Sequence, residues 1–159
     1  MVWGDFQGAR NVTLAGSLLR YQKQFARLVD GSGGLCHADP LFSRYGMLKV
    51  GDLYRQQLRV HAWRFWNGRL PVGQAAMLSR ASGVHGHATR AARLGMFVST
   101  RDHEAVGYRV PVEWASIPEA LRGAGSLVSF KRGSRAGFLA EYGASVCGEA
   151  GCGVCMGPV

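Results

Sequence analysis

Apolar residues recur at three- and four-residue steps in three long stretches, the spacing that gives an α-helix one apolar face. Leu14, Leu18, Tyr21, Phe25, Leu28 and Val29 mark the first, a predicted helix from about Leu14 to Val29. Thr13 can cap it, and Asp30-Gly31-Ser32-Gly33-Gly34 ends it. Leu53, Tyr54, Leu58, His61, Ala62, Phe65 and Trp66 mark a second, from about Val50 to Trp66, closed by Asn67-Gly68. Leu127, Phe130, Phe138, Leu139 and Tyr142 mark the last, from about Leu127 to Tyr142, with Ser126 as its cap. Gly133 and Gly137 weaken that helix by roughly 1 kcal/mol each relative to alanine.

The pattern is less regular between these helices. Asp39-Pro40 reads as an N-cap followed by a proline in the first turn, so a short helix is expected from Pro40 to Tyr45, with Gly46 as its stop. A further small helix is expected from about Gly73 to Ala81. Leu94–Ser99 and Val106–Val110 favour short strands and predict a hairpin around Asp102-His103-Glu104. Pro111 and Pro118 bracket a turn-rich piece holding Trp114. The sum is a mostly α fold: a small helical domain over 1–142 with a short β hairpin, then a Cys/Gly-rich C-terminal tail over 143–159.

Composition agrees with one packed domain and a tail. The 159 residues are 47% hydrophobic and 18% charged, which argues against disorder along the whole chain. No stretch approaches the ~20 apolar residues of a spanning helix, and no basic-then-apolar leader opens the chain. A non-membrane, intracellular protein is therefore expected. Charge adds more. Lys and Arg number 19 against 10 Asp and Glu, a net charge of +9, and only three of the basic residues are lysine. Guanidinium forks grip phosphate oxygens bidentately, so an arginine-dominated excess points to nucleic acid or another polyanion, the competing reading being charges scattered for solubility. The arginines and lysines lie on predicted helices: Arg20, Lys23 and Arg27 on the first, Arg55, Arg59 and Arg64 on the second, Lys131, Arg132 and Arg135 on the last. Tyr21, Tyr54, Trp63 and Trp66 lie nearby, where they can either stack on bases or fill a core.

Several segments, in a fixed order, resemble the region downstream of the polymerase core in non-LTR (LINE-type, jockey-like) retrotransposon reverse transcriptases. Leu19-Arg20-Tyr21-Gln22-Lys23-Gln24-Phe25-Ala26-Arg27-Leu28-Val29 resembles that family's LQKRAIRLI helix. His37-Ala38-Asp39-Pro40-Leu41-Phe42 and Leu48-Lys49-Val50-Gly51-Asp52-Leu53-Tyr54 resemble its HTDPLF and LLKLEDLY stretches. Asn67-Gly68-Arg69-Leu70-Pro71 is similar to NGTLP, and His87-Ala88-Thr89-Arg90 to its Y-x-TR motif. The run Val110-Pro111-Val112-Glu113-Trp114-Ala115-Ser116-Ile117-Pro118, then Leu121-Arg122 and Ser126-Leu127-Val128-Ser129-Phe130-Lys131-Arg132, resembles GPKIWNSLP, LR and SLSSFKR. The likeness extends from about Val2 to Tyr142, and each motif alone is short.

This resemblance implies the post-palm part of an RNA-directed DNA polymerase: thumb-like helices and the segment beyond them, working in the nucleus. Its partners would be RNA or DNA, and the rest of a polymerase or a larger complex. Polymerisation needs two metal ions held by palm carboxylates, including an Asp-Asp pair. These 159 residues contain no Asp-Asp pair, so no catalysis is expected from them alone. The expected nucleic-acid-binding set is Arg20, Lys23, Arg27, Arg55, Arg59, Arg64, Arg90, Lys131, Arg132 and Arg135.

Three further sites carry chemistry. Cys147, Cys152 and Cys155 include the Cys-x2-Cys spacing that brings two thiolates to one zinc ion, and the resemblance favours a zinc knuckle. A fourth ligand would come from Cys36, His37, His85 or His87; the competing reading is a tail of free thiols. His85 and His87 can contact phosphate, hold a metal, or sit in a polar loop. A hydrolase is disfavoured, because no Gly-x-Ser-x-Gly elbow occurs and Cys36 and His37 are adjacent in sequence. The alternative to nucleic-acid binding is a retroelement-derived scaffold subunit, which would show large exposed apolar patches as an isolated chain.

Overall fold

The computed structural model describes residues 12–34, 36–81, 95–98 and 105–143. Most of these are helical, and they form seven helices: α1 (Val12–Asp30), α2 (Asp39–Arg44), α3 (Val50–Trp66), α4 (Val72–Ala75), α5 (Val106–Ser116), α6 (Glu119–Arg122) and α7 (Leu127–Gly143). The mostly α expectation is correct, and the three long helices lie where the apolar spacing put them.

Their ends follow local chemistry. Gly31 takes φ +72°, and the amides of Gly31 and Ser32 bond back to the carbonyls of Leu28 and Arg27, closing α1. Gly68 does the same for α3, with φ +65° and amides 68 and 69 returning to Phe65 and Arg64. Ser126 caps α7 as expected, its Oγ accepting from the Ser129 amide at 3.1 Å. Two caps differ from expectation. Helix α1 begins at Val12, so Thr13 lies inside it, and α2 includes Asp39, with Ala38 at the cap position and no side-chain cap bond.

The hairpin needs a larger correction. Val106–Val110 is not a strand but the first half of α5, which continues through Pro111 to Ser116. Val106, Tyr108 and Val110 alternate, but Val110, Trp114 and Ile117 also lie at helical steps, and all three are buried. Proline at 111 cannot donate to a sheet ladder, whereas burying one helical face satisfies all three large side chains. Among the described residues the only extended pairing is an isolated antiparallel bridge between Arg80 and Met96.

The chain divides into two compact units, with boundaries inside α3 and α7. One comprises Met1–Tyr54 and Arg135–Val159. Its core gathers Ala38, Phe42, Leu48, Phe138 and Tyr142, with Leu19, Met47 and Leu139 packed around them. Ala26 of α1 and Leu41 of α2 meet beside it. The other unit, Arg55–Ser134, is built on Val60, Trp63, Leu78, Met96, Val110, Trp114, Ile117 and Phe130. Its aromatic rings are continuous: Trp63 lies 6.0 Å from Phe130, Trp114 lies 6.5 Å from Phe130, and Trp66 lies 5.6 Å from Trp114. Gly95, at φ +76°, lies so close to the Trp66 ring that a Cβ there would come within 2.7 Å of it.

The two glycines of α7 now separate. A Cβ at Gly137 meets nothing within 4 Å, whereas one at Gly133 would come within 2.6 Å of Leu121 Cδ1. Gly137→Ala should therefore stabilise the protein by about 0.5–1 kcal/mol through helix propensity alone. Gly133→Ala should gain less, because Leu121 must move. Urea midpoints measured side by side check this; an equal gain at both positions would show that Leu121 does not constrain Gly133.

Candidate nucleic-acid interface

The basic residues singled out in the sequence fall into two groups. Arg20 on α1, Arg64 on α3, and Lys131 and Arg132 on α7 are exposed, and among the described residues no ion pair engages them. The others are held by their own unit. Arg27 donates through Nε to the Cys36 carbonyl at 2.6 Å, and Arg135 donates through Nη2 to the Gly46 carbonyl. Lys23 is half-buried and contributes to the field that stabilises the Asp39 carboxylate.

Arg55 and Arg59 have a structural task. Both grip Glu113 of α5, Arg55 Nε to Oε1 at 2.8 Å and Arg59 Nε to Oε2 at 3.0 Å. Arg59 is only 7% exposed, and its remaining nitrogens face Ser116 Oγ and Ser134 Oγ, each at 3.4 Å. One turn of α3 separates the two arginines, so both reach the same carboxylate from one helix face. Sequence reasoning missed Glu113 as their partner. The signal was there in part: two cations at i and i+4 repel unless an anion lies between them.

Two aromatic candidates are likewise structural. Trp63 is fully buried, and its Nε1 donates to the Ala124 carbonyl at 3.3 Å. Trp66 is half-buried in the same cluster, with the Arg80 guanidinium 4.8 Å above its ring. Arg80 also donates to the Trp66 carbonyl at 2.9 Å, satisfying an end group of α3. Arg69 lies over Trp63 at 5.2 Å. Tyr54 is half-buried, whereas Tyr21 stands 66% exposed on α1.

A polar network went unrecognised in the sequence: His37, Asp39, Lys49 and Asp52 come from the two segments His37–Phe42 and Leu48–Tyr54, and Tyr142 from α7. Lys49 Nζ lies 2.8 Å from Asp39 Oδ2, with His37 Nε2 at 3.8 Å from the same oxygen. Burial pushes the Asp39 carboxyl up, but the bound Lys49 ammonium, with Lys23 and His37 nearby, outweighs this and holds it below the usual carboxylate range. Lys49 also sits 4.4 Å above the Tyr142 ring, and the Tyr142 hydroxyl donates to Asp52 and accepts from the Lys49 amide. Burial and the bond to Asp52 push the Tyr142 phenol well up. These groups are matched to each other, so the network braces α2, α3 and α7 within their unit.

Arg90, His85, His87 and the zinc candidates Cys147, Cys152 and Cys155 lie outside the described residues. Cys36 is half-buried against the cluster of Ala26 and Leu41. Among the described residues no group of three or more His, Cys, Asp or Glu is placed to hold a metal, and no helix is long and apolar enough to cross a membrane.

With this geometry in place, the chain was compared with known proteins: no protein-family model, no curated protein and no solved structure matches it.

Proposed function

We propose that this chain is a nucleic-acid-binding region of a non-LTR retrotransposon reverse transcriptase, its post-palm part, and does not catalyse polymerisation by itself. The observation that carries the reading is the division of the charged residues. Glu113, Asp39 and Asp30 are each engaged by internal cations, while Arg20, Arg64, Lys131 and Arg132 stay exposed on a chain of net charge +9. Lys131 and Arg132 are consecutive on α7 and Arg64 belongs to the same unit, so that unit alone offers three phosphate contacts. Arginines that neutralise phosphates release counterions, and affinity then falls steeply with salt. In this reading the Cys147, Cys152 and Cys155 tail holds zinc.

The test is a salt series of binding to structured RNA, single-stranded DNA and duplex DNA, with and without a chelator. Four phosphate contacts give a log–log slope of about −3 to −4, so affinity should drop roughly 200- to 1,000-fold between 50 and 300 mM salt. Removing the charges of Arg64, Lys131 and Arg132 together should bring the slope close to −1. Equal binding at both salt concentrations would defeat the electrostatic mechanism, and no binding at low salt would defeat the reading. Loss of binding with chelator would assign zinc to the tail.

A second reading, a retroelement-derived scaffold subunit, is favoured by one observation. The apolar stripe of α1 is exposed: Leu14, Tyr21, Phe25 and Leu28 each present more than half of their surface to solvent.

A further inference from the structure

The apolar stripe of α1 is the clearest periodic signal in the sequence, yet the structure does not bury it. The helix docks on its unit by its other side, through Leu19, through Ala26 and through Gln22, which bonds the Leu48 carbonyl and the Val50 amide. Leu14, Leu18, Tyr21, Phe25, Leu28 and Val29 are 59%, 39%, 66%, 57%, 79% and 52% exposed. Steps of four, three, four and three connect Leu14 to Leu28, which is the seam of a coiled coil rather than the broader stripe of a helix resting on a core.

We infer that α1 is a dimerisation helix, and that its seam packs against α1 of a second copy of this chain. Three observations point to a second copy. On the flank away from the intramolecular contact, Ser17 and Gln24 carry no charge, so two copies can approach there without the repulsion expected between chains of net charge +9. Arg20, Lys23 and Arg27 lie off the seam. The six exposed side chains offer on the order of 700 Å² of largely apolar surface, close to the ~800 Å² per partner of a stable complex. Four of the six are aliphatic and cannot stack on bases, which favours a protein over a nucleic acid as the occupant. A two-fold axis across the helix makes the seam its own complement, with the helices antiparallel and their dipoles opposed. The inference stands on α1 alone and does not depend on the nucleic-acid reading.

Sedimentation of the whole chain, treated with nuclease and held in 1 M NaCl to remove bridging nucleic acid, tests it. The wild type should weigh about twice 17.2 kDa at tens of micromolar. Leu18→Glu with Phe25→Glu should return it to a single-chain mass with unchanged helical circular dichroism, because both side chains face solvent within their own copy. Ala140→Glu, an equal change of charge at an exposed position of α7, should leave the dimer intact. A wild type of single-chain mass across this range overturns the proposal. That result with α1 amides strongly protected from exchange would place a segment of the same chain on the seam. That result with a loss of RNA affinity in the Phe25→Glu variant would assign the seam to nucleic acid. A dimer that survives the double substitution also overturns it.

Discussion

Glu113→Gln should destabilise the Arg55–Ser134 unit by about 3–5 kcal/mol. The carboxylate joins two guanidinium groups, and the substitution removes the counter-charge that they share. Their surroundings differ. Arg55 has a side chain 38% exposed and can turn toward water, whereas Arg59, with 9%, cannot. The loss is therefore dominated by one buried cation beside a new amide whose N–H2 faces another donor. The two serines near Arg59 accept weakly at 3.4 Å and do not replace an anion. Urea unfolding followed by tryptophan fluorescence reads this directly, since three of the four tryptophans lie in this unit. Replacing Arg59 with Met and Glu113 with Leu together should recover much of the loss, because an apolar pair removes the desolvation penalty with the attraction. A loss below about 1 kcal/mol would mean that water reaches Arg59 and that the bridge behaves as a surface pair.

The same three residues show how far a sequence can be read. Helices α1, α3 and α7 are legible because burial on one side imposes a period, and glycines 31 and 68 end two of them by a backbone conformation that other residues rarely adopt. What the period does not reveal is which side is buried against what. In α1 the apolar stripe marked the helix correctly, but intramolecular packing uses Leu19, Gln22 and Ala26 instead. In α3, Trp63 lies off the expected stripe and proves fully buried, because α5 and α7 supply Trp114 and Phe130 opposite it. The charges show the same limit. An arginine on a helix looks alike in sequence whether it meets phosphate, Glu113 or a carbonyl. Only the approach of α5 distinguishes Arg59 from Arg64, five residues on. The strand expected at Val106–Val110 failed for a related reason: alternation and helical spacing coexist there, and Trp114 and Ile117 decide between them.

Trp63→Ala should cost about 3–5 kcal/mol, the transfer of a large ring plus the cavity it leaves. The indole is wholly enclosed, stacked obliquely on Phe130 and tied to the Ala124 carbonyl. Trp66→Ala should cost less, because Trp66 retains solvent contact and Arg80 can fold over the gap. The position of Trp63 also makes its loss informative about function. It precedes Arg64 in the chain, and its partner Phe130 precedes Lys131 and Arg132. The Trp63–Phe130 contact thus fixes the two helix segments that carry three of the exposed cations. Under the proposed function, removing Trp63 keeps every charge but releases their spacing, so affinity for whichever nucleic acid the salt series identifies should fall well before net charge could explain it. Arg64→Gln should do the opposite, leaving thermal stability unchanged and making the salt slope shallower by about 0.9. Melting curves and salt series on both variants separate the two effects. If Trp63→Ala melts early yet binds that nucleic acid as the wild type does at a temperature where it is still folded, the cations act as a diffuse charge. If affinity falls at that temperature, the core holds them at a spacing that matters.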